Sequence, residues 1–259
     1  MAHPSLDFRR QRSRAKHLGI FEALPALERT AQRYRACGRF AYRYVSAKLR
    51  YDPLYGMLPS LAARRTFGSV LDIGCGRGQL GIALLESGAA TVVLGFDRNR
   101  EHLRQAARAA VGLPLRAEPC DLAQCEALPK ADTVFLIDVC YQLHTSAQNQ
   151  LLRAAAGAAR SCIVIRTADP AQGWRSTLSR GMEWSCRPFW PHSGAHVNPR
   201  PLRDLTAIVT DHGFSVTMMP CWRGTPFANV LLVGHRASTE SDGPSDADKI
   251  QTGLRSNPI

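Results

Sequence analysis

Residues Val70 to Gly78 read Val-Leu-Asp-Ile-Gly-Cys-Gly-Arg-Gly, an apolar run that closes on an acid and opens into glycine at every second position. Glycine turns without steric conflict and lets a ligand approach the backbone, and a helix starting just after it offers unpaired N–H groups. Two phosphate-binding patterns fail here. The spacing is neither that of a dinucleotide fingerprint nor that of a P-loop, which needs a Lys-Ser or Lys-Thr after its last glycine. Asp72, directly before the loop, would repel a pyrophosphate and welcome a cation. Asp97 closes the next strand-like run, Val92 to Phe96, where an acid in open α/β folds accepts hydrogen bonds from ribose hydroxyls. One acid beside a positive group and a second at a ribose fit an adenosyl sulfonium.

These residues need a scaffold of alternating strands and helices, and the hydrophobic pattern supplies one. Strand-like runs cover Ser69 to Ile73, Thr91 to Phe96, Leu115 to Cys120, Thr133 to Ile137 and Cys162 to Arg166. Helical periodicity covers Gln79 to Ser87, Asn99 to Ala110, Ala147 to Ala159 and Pro201 to His212. Such alternation predicts a parallel sheet with crossover helices. Two closely spaced strands, Phe214 to Met219 and Asn229 to Gly234, predict a terminal hairpin with an antiparallel strand. Upstream, Ala31 to Tyr51 repeats Arg, Tyr, Phe and Val at helical spacing and predicts one long helix ended by Asp52-Pro53, with Leu54 to Phe67 as a connector.

With these elements placed, the chain resembles the class I S-adenosylmethionine-dependent methyltransferases, whose first motif is an acid-x-Gly-x-Gly-x-Gly loop after the first strand. Asp72-Ile73-Gly74-Cys75-Gly76-Arg77-Gly78 carries that pattern. The resemblance implies a Rossmann-like α/β fold with a seven-stranded, mostly parallel sheet, an antiparallel C-terminal hairpin strand and an N-terminal helical extension. It implies S-adenosyl-L-methionine as cofactor, bordered by Gly74, Cys75, Gly76 and Gly78, with Asp72 orienting the amino end through the loop. Asp97 with Arg98 falls at the ribose, Asp121 with Leu122 at adenine, and Asp138 at the methyl side. The expected organisation is a basic helical extension over residues 1–60, a methyltransferase domain over 61–236 and a disordered tail over 237–259. A narrower resemblance runs through Lys48 to Pro53, Gly173-Trp174-Arg175 and Gly224 to Val230. It points to a bacterial small-molecule branch found with aryl-polyene and polyketide-type pathways.

An acceptor should bind beyond the carboxyl ends of the strands. Three stretches reach that edge: Val139 to His144, Thr167 to Val197, and Trp222 to Ala228. Tyr141, Trp174 and Trp190 are the substrate-binding candidates, since a long aromatic loop fits a pocket or a cover. His144 and His196 are candidate bases for the acceptor's proton. No metal site is expected, because Pro191 and Gly194 break the helix that would align His192 with His196, and Cys120 with Cys125 lacks a second pair. The motifs of amino-methylating and cytosine-methylating nucleic-acid enzymes are absent after the fourth strand, which leaves Cys140 a poor nucleophile candidate.

The chain has 259 residues and a formal charge of +12, and residues 1–50 hold twelve Lys or Arg against Asp7, Glu22 and Glu28. That segment should attract an acidic partner. A small-molecule acceptor tethered to an acidic carrier protein is the first reading. RNA is the second, and non-catalytic binding of an adenosyl ligand is the third. Eight scattered cysteines, no apolar run long enough to span a bilayer and no apolar leader predict free thiols and a cytoplasmic protein.

Overall fold

The computed structural model describes residues 24–63, 66–124, 127–171 and 198–236. A seven-stranded sheet in the order β3-β2-β1-β4-β5-β7-β6 forms the centre. Its strands are β1 (Gly68–Ile73), β2 (Ala90–Asp97), β3 (Leu115–Pro119), β4 (Ala131–Ile137), β5 (Ala159–Ala168), β6 (Phe214–Pro220) and β7 (Asn229–Arg236). All neighbours pair in parallel except β7, which runs antiparallel to both β5 and β6. This is the Rossmann-like methyltransferase fold expected from the sequence, hairpin included. Strand order reverses between β1 and β4, so the crevice beyond their carboxyl ends is where such a sheet takes a ligand.

The helices are α1 (24–33), α2 (Arg39–Tyr51), α3 (Pro53–Ala62), α4 (Gln79–Glu86), α5 (Arg100–Ala109), α6 (Thr145–Ala158) and α7 (Leu202–Asp211). The single helix expected over Ala31 to Tyr51 is two. A 3-10 turn at Tyr34–Cys37 leads to Gly38, whose φ of 95° no helix accommodates. Leu54 to Phe67 is also not a mere connector. Asp52 accepts the Leu54 N–H and Pro53 occupies the first helical position, where its missing N–H is no loss, so the Asp-Pro pair starts α3 as well as ending α2.

These N-terminal helices share a core with the sheet. Ala41, Val45 and Leu49 are the buried stripe of α2, while Arg39, Arg43 and Arg50 lie on its opposite side. Tyr34, Val45, Leu54 and Tyr55 pack in one cluster with Leu80, Ile82 and Leu84 of α4 and Phe135 of β4. Part of the basic excess is spent on this docking: Arg29 and Arg33 each place Nε 2.6 Å from a carboxylate oxygen of Glu86. Arg33 also donates to the carbonyls of Ala109 and Val111 at the end of α5. Glu86 is held below the ordinary carboxylate range because, although burial acts in the opposite sense, both guanidinium groups favour its charge.

Tyr34 joins this packing to the glycine loop. It is fully buried and donates its hydroxyl to the Arg77 carbonyl at 2.5 Å. Tyr34→Phe strands that carbonyl, and urea unfolding should show a loss of about 1–2 kcal/mol at unchanged slope.

Candidate cofactor and acceptor site

Gly74, Gly76 and Gly78 all take positive φ, at 75°, 55° and 75°, where a side chain is strained. Their surroundings differ. A Cβ on Gly74 would strike Val139 and one on Gly78 would strike Ala106 of α5, whereas Gly76 faces open space. The cradle is therefore at Gly76. The loop is pinned to the end of β2: Gly74 and Cys75 donate to the Phe96 carbonyl at 2.7 and 3.0 Å, and Gly76 donates to Asp97 Oδ2 at 2.9 Å. Cys75 turns its sulfur away, against Gly95, where a Cβ would sit 2.7 Å from Sγ. Burial pushes that thiol's pKa up. What Cys75 offers a ligand is main chain.

Asp72 is 2% exposed, and its Oδ2 has no hydrogen-bond partner among the described residues. Burial, and then the charge of Asp97, push its pKa up to about 7, with Lys48 acting in the opposite direction. Gln79 Oε1, one residue past the loop, is likewise buried and unpartnered among the described residues. Buried acceptors without donors are costly, and a carboxylate most of all. Both oxygens of Asp97 accept backbone N–H groups, Oδ2 from Gly76 and Oδ1 from Asn99. Capping of α5 falls to Asn99, which accepts from Glu101 and His102, so Asp97 is not a helix cap. Arg98 is exposed beside it. Asp121 is exposed in a turn that it closes with the Ala123 N–H and the Gln124 amide, and Leu122 is buried next to it.

The end of β4 carries a feature that sequence reasoning did not find. Arg166 of β5, 2% exposed, donates Nε to Asp138 Oδ1 at 2.8 Å and Nη2 to Asp52 Oδ2 at 2.9 Å, with further contacts from Nη1 to Asp52 and from Nη2 to Asp138. Burial alone would raise the Asp138 pKa and lower that of Arg166, but their mutual attraction wins and holds both charged. Asp138 has a φ of 59°, a left-handed backbone unusual for a side chain other than glycine. Asp52, Asp72 and Asp138 against Arg166 and Lys48 leave one net negative charge at the head of β1 and β4. Together with the unpartnered Asp72 oxygen and the open cradle at Gly76, this fits a ligand carrying positive charge.

Around this centre the acceptor candidates are partly placed. Tyr141 is half-buried, in a 3-10 turn after β4, and its carbonyl accepts the Asn198 N–H at 2.7 Å. His144 is exposed at the first turn of α6. Cys140 is fully buried, and burial pushes its thiol up to about 12, which leaves it protonated. Trp174, Trp190 and His196 lie outside the described residues. Among the described residues no group of His, Cys, Asp and Glu could hold a metal ion, and no helix is long and apolar enough to cross a membrane.

Residues 70–162 match the family model described as a methyltransferase domain. No curated protein matches the chain as a sequence relative. Among solved structures, magnesium protoporphyrin IX methyltransferase from Synechocystis PCC 6803 with S-adenosylhomocysteine bound is 23% identical, covers 75% of this chain and 88% of its own, and superposes with a TM-score of 0.56. An S-adenosylmethionine-dependent methyltransferase from Mesorhizobium loti is 17% identical over 73% of this chain and 100% of its own, with a TM-score of 0.57. An O-methyltransferase family protein from Burkholderia thailandensis is 20% identical over 80% of this chain and 63% of its own, with a TM-score of 0.56. The fold is shared with these methyltransferases, and residues 70–162, which run from β1 into β5, match the methyltransferase-domain model.

Two outcomes follow from the charges. A cationic ligand binds ionised Asp72 and lowers its pKa, so affinity for S-adenosylmethionine should rise on the order of tenfold between pH 5.5 and 7 and flatten above. Calorimetry should find that slope missing in Asp72→Asn. Arg166→Met leaves two carboxylates without their partner and should lower stability by about 3–5 kcal/mol in denaturant unfolding.

Proposed function

We propose that the protein transfers a methyl group from S-adenosylmethionine to a small aromatic or acyl-chain acceptor presented by an acidic carrier protein. The observation that carries the methyl-donor half is the Asp72 oxygen, unpartnered among the described residues, beside the open Gly76 cradle, in a cluster where acids outnumber cations. When bound, the cofactor supplies a methyl group already activated on sulfonium sulfur. The chain then has to hold donor and acceptor in line and exclude water. In this reading the loop amides and Asp72 fix the donor, Asp97 and Arg98 border the ribose, Asp121 and Leu122 border adenine, and Asp138 shapes the methyl side. His144 or His196 takes the acceptor's proton.

Topology supports the acceptor half. Residues 172–197, which include Trp174, Trp184 and Trp190, join two points on the ligand edge of the sheet: Asp169, whose N–H donates to the Ala228 carbonyl, and Asn198, bonded to Tyr141. The loop between β6 and β7 opens on the same edge, because β7 starts opposite the end of β5. For the carrier, the outer side of α2 presents Arg39, Arg43 and Arg50 with no acid in the helix, and Phe40 is 72% exposed beside them. A depression of about 350 Å³ lies among Arg35, Gly38, Arg39, Tyr42 and Arg43. A surface of this kind complements an acidic protein and raises its rate of encounter.

Asp97→Ala should weaken S-adenosylmethionine binding at least tenfold in calorimetry, and wild type that fails to bind the cofactor overturns the reading. Arg39→Glu with Arg43→Glu should abolish methylation of a carrier-bound acceptor and leave cofactor binding unchanged. Transfer of tritiated methyl to bulk RNA with a steep salt dependence would replace the carrier by RNA.

A further inference from the structure

The inner side of α2 lies along the cofactor site. Tyr44, Lys48 and Asp52 are spaced by four, so they follow one another on one side of the helix. The two ends of that row are fixed by contacts. At the first, Arg77 of the glycine loop stacks over the Tyr44 ring, 4.5 Å from its centroid, and its Nε donates to Gln105 at 2.8 Å. At the other, Asp52 grips Arg166, which holds Asp138. Lys48 comes between them. Buried Val45 and Leu49 flank it in sequence, so it stands next to the apolar stripe, half-buried, on the side of α2 that runs from the loop to the head of β4.

Its engagement differs from that of its neighbours. Arg166 is gripped by two carboxylates, and Arg77 is held by a stacked ring and one amide oxygen, whereas Lys48 makes no hydrogen bond or ion pair among the described residues. Its charge nonetheless acts on two acids of the site, favouring the ionised forms of Asp72 and Asp138. Half-buried beside the crevice, an unpaired ammonium and an unpartnered carboxylate oxygen are set out for a ligand that bears both a cation and an anion. The amino-acid end of S-adenosylmethionine is such a group.

We infer that Lys48 binds the α-carboxylate of the cofactor while the free oxygen of Asp72 receives its α-ammonium, so that α2 and β1 clamp the zwitterion between them. The inference rests on the cofactor assignment above and names a residue of the N-terminal helices as part of the cofactor site. The cofactor's amino-acid end carries one positive and one negative group, and Asp72 and Lys48 offer one partner of each sign. A charge-assisted bond of this kind is among the stronger polar contacts a protein makes.

Decarboxylated S-adenosylmethionine keeps the sulfonium and the ammonium and lacks only the carboxylate, so it isolates the contact. At pH 7 in calorimetry, wild type should bind S-adenosylmethionine roughly tenfold or more tighter than the decarboxylated ligand. In Lys48→Met that preference should fall to within about twofold, with affinity for the decarboxylated ligand close to wild type. Lys48→Arg should retain most of the preference. Absence of a preference in wild type overturns the inference without recourse to any variant. So does an unchanged preference in Lys48→Met, which would free the lysine for the acceptor, or an equal loss for both ligands, which would mark it as structural. If wild type binds neither ligand, the cofactor assignment itself fails, which is a different result.

Discussion

Arg166 stands at the head of the sheet with almost no exposure to water, and it would be untenable there without Asp138 on one side and Asp52 on the other. That requirement organises much of the molecule. Asp138 must turn out of β4 in a left-handed conformation to meet the guanidinium, which sets the direction of the segment leading to Tyr141. Asp52 must stand at the junction of α2 and α3, which draws both helices over the crevice. Because Asp52 also caps α3, a single carboxylate ties a helix start, a helix end and the central sheet together.

Within that frame the N-terminal helices are fastened to both the glycine loop and the head of β4. Tyr34 fixes the Arg77 carbonyl, Tyr44 takes the Arg77 side chain, and Lys48 and Asp52 continue the same side of α2 toward β4. The arginines divide by position. Arg29 and Arg33 dock the helices on Glu86 and the end of α5, whereas Arg39, Arg43 and Arg50 face outward. A strongly basic segment thus combines internal fastening with an outward electrostatic surface, and net charge alone could not separate the two.

Much of the fold was legible because its signals are local. The glycine loop, the buried strands and the terminal hairpin each lie within a few residues, and periodicity read them almost to their ends. Gly38 does not show as a break, because Arg and aromatic residues keep helical spacing on both sides of it. Asp52-Pro53 has the look of a stop, and the same pair is also a start. The triad was out of reach for a different reason: Asp52 and Arg166 are 114 positions apart, and nothing in either neighbourhood points to the other. One signal was there. Arg166 follows Cys162-Ile163-Val164-Ile165, and a charge ending a fully buried run requires a buried partner. The direction of the Cys75 thiol was similarly hidden, since the missing side chain of Gly95 on the adjacent strand decides it.

The same separation bears on how the chain reaches its native state. During synthesis from the N-terminus, α2 and α3 emerge long before β5, and until Arg166 is laid beside β4 neither Asp52 nor Asp138 has the cation that fastens it. Contacts that span so much sequence form slowly, since a large loop must close before they give any return. The apolar side of α2, with Ala41, Val45 and Leu49, shares its cluster with β1, α4 and β4, so it can pack before the ion pairs close. Completion of the crevice is in that sense a late event, timed by the arrival of the fifth strand.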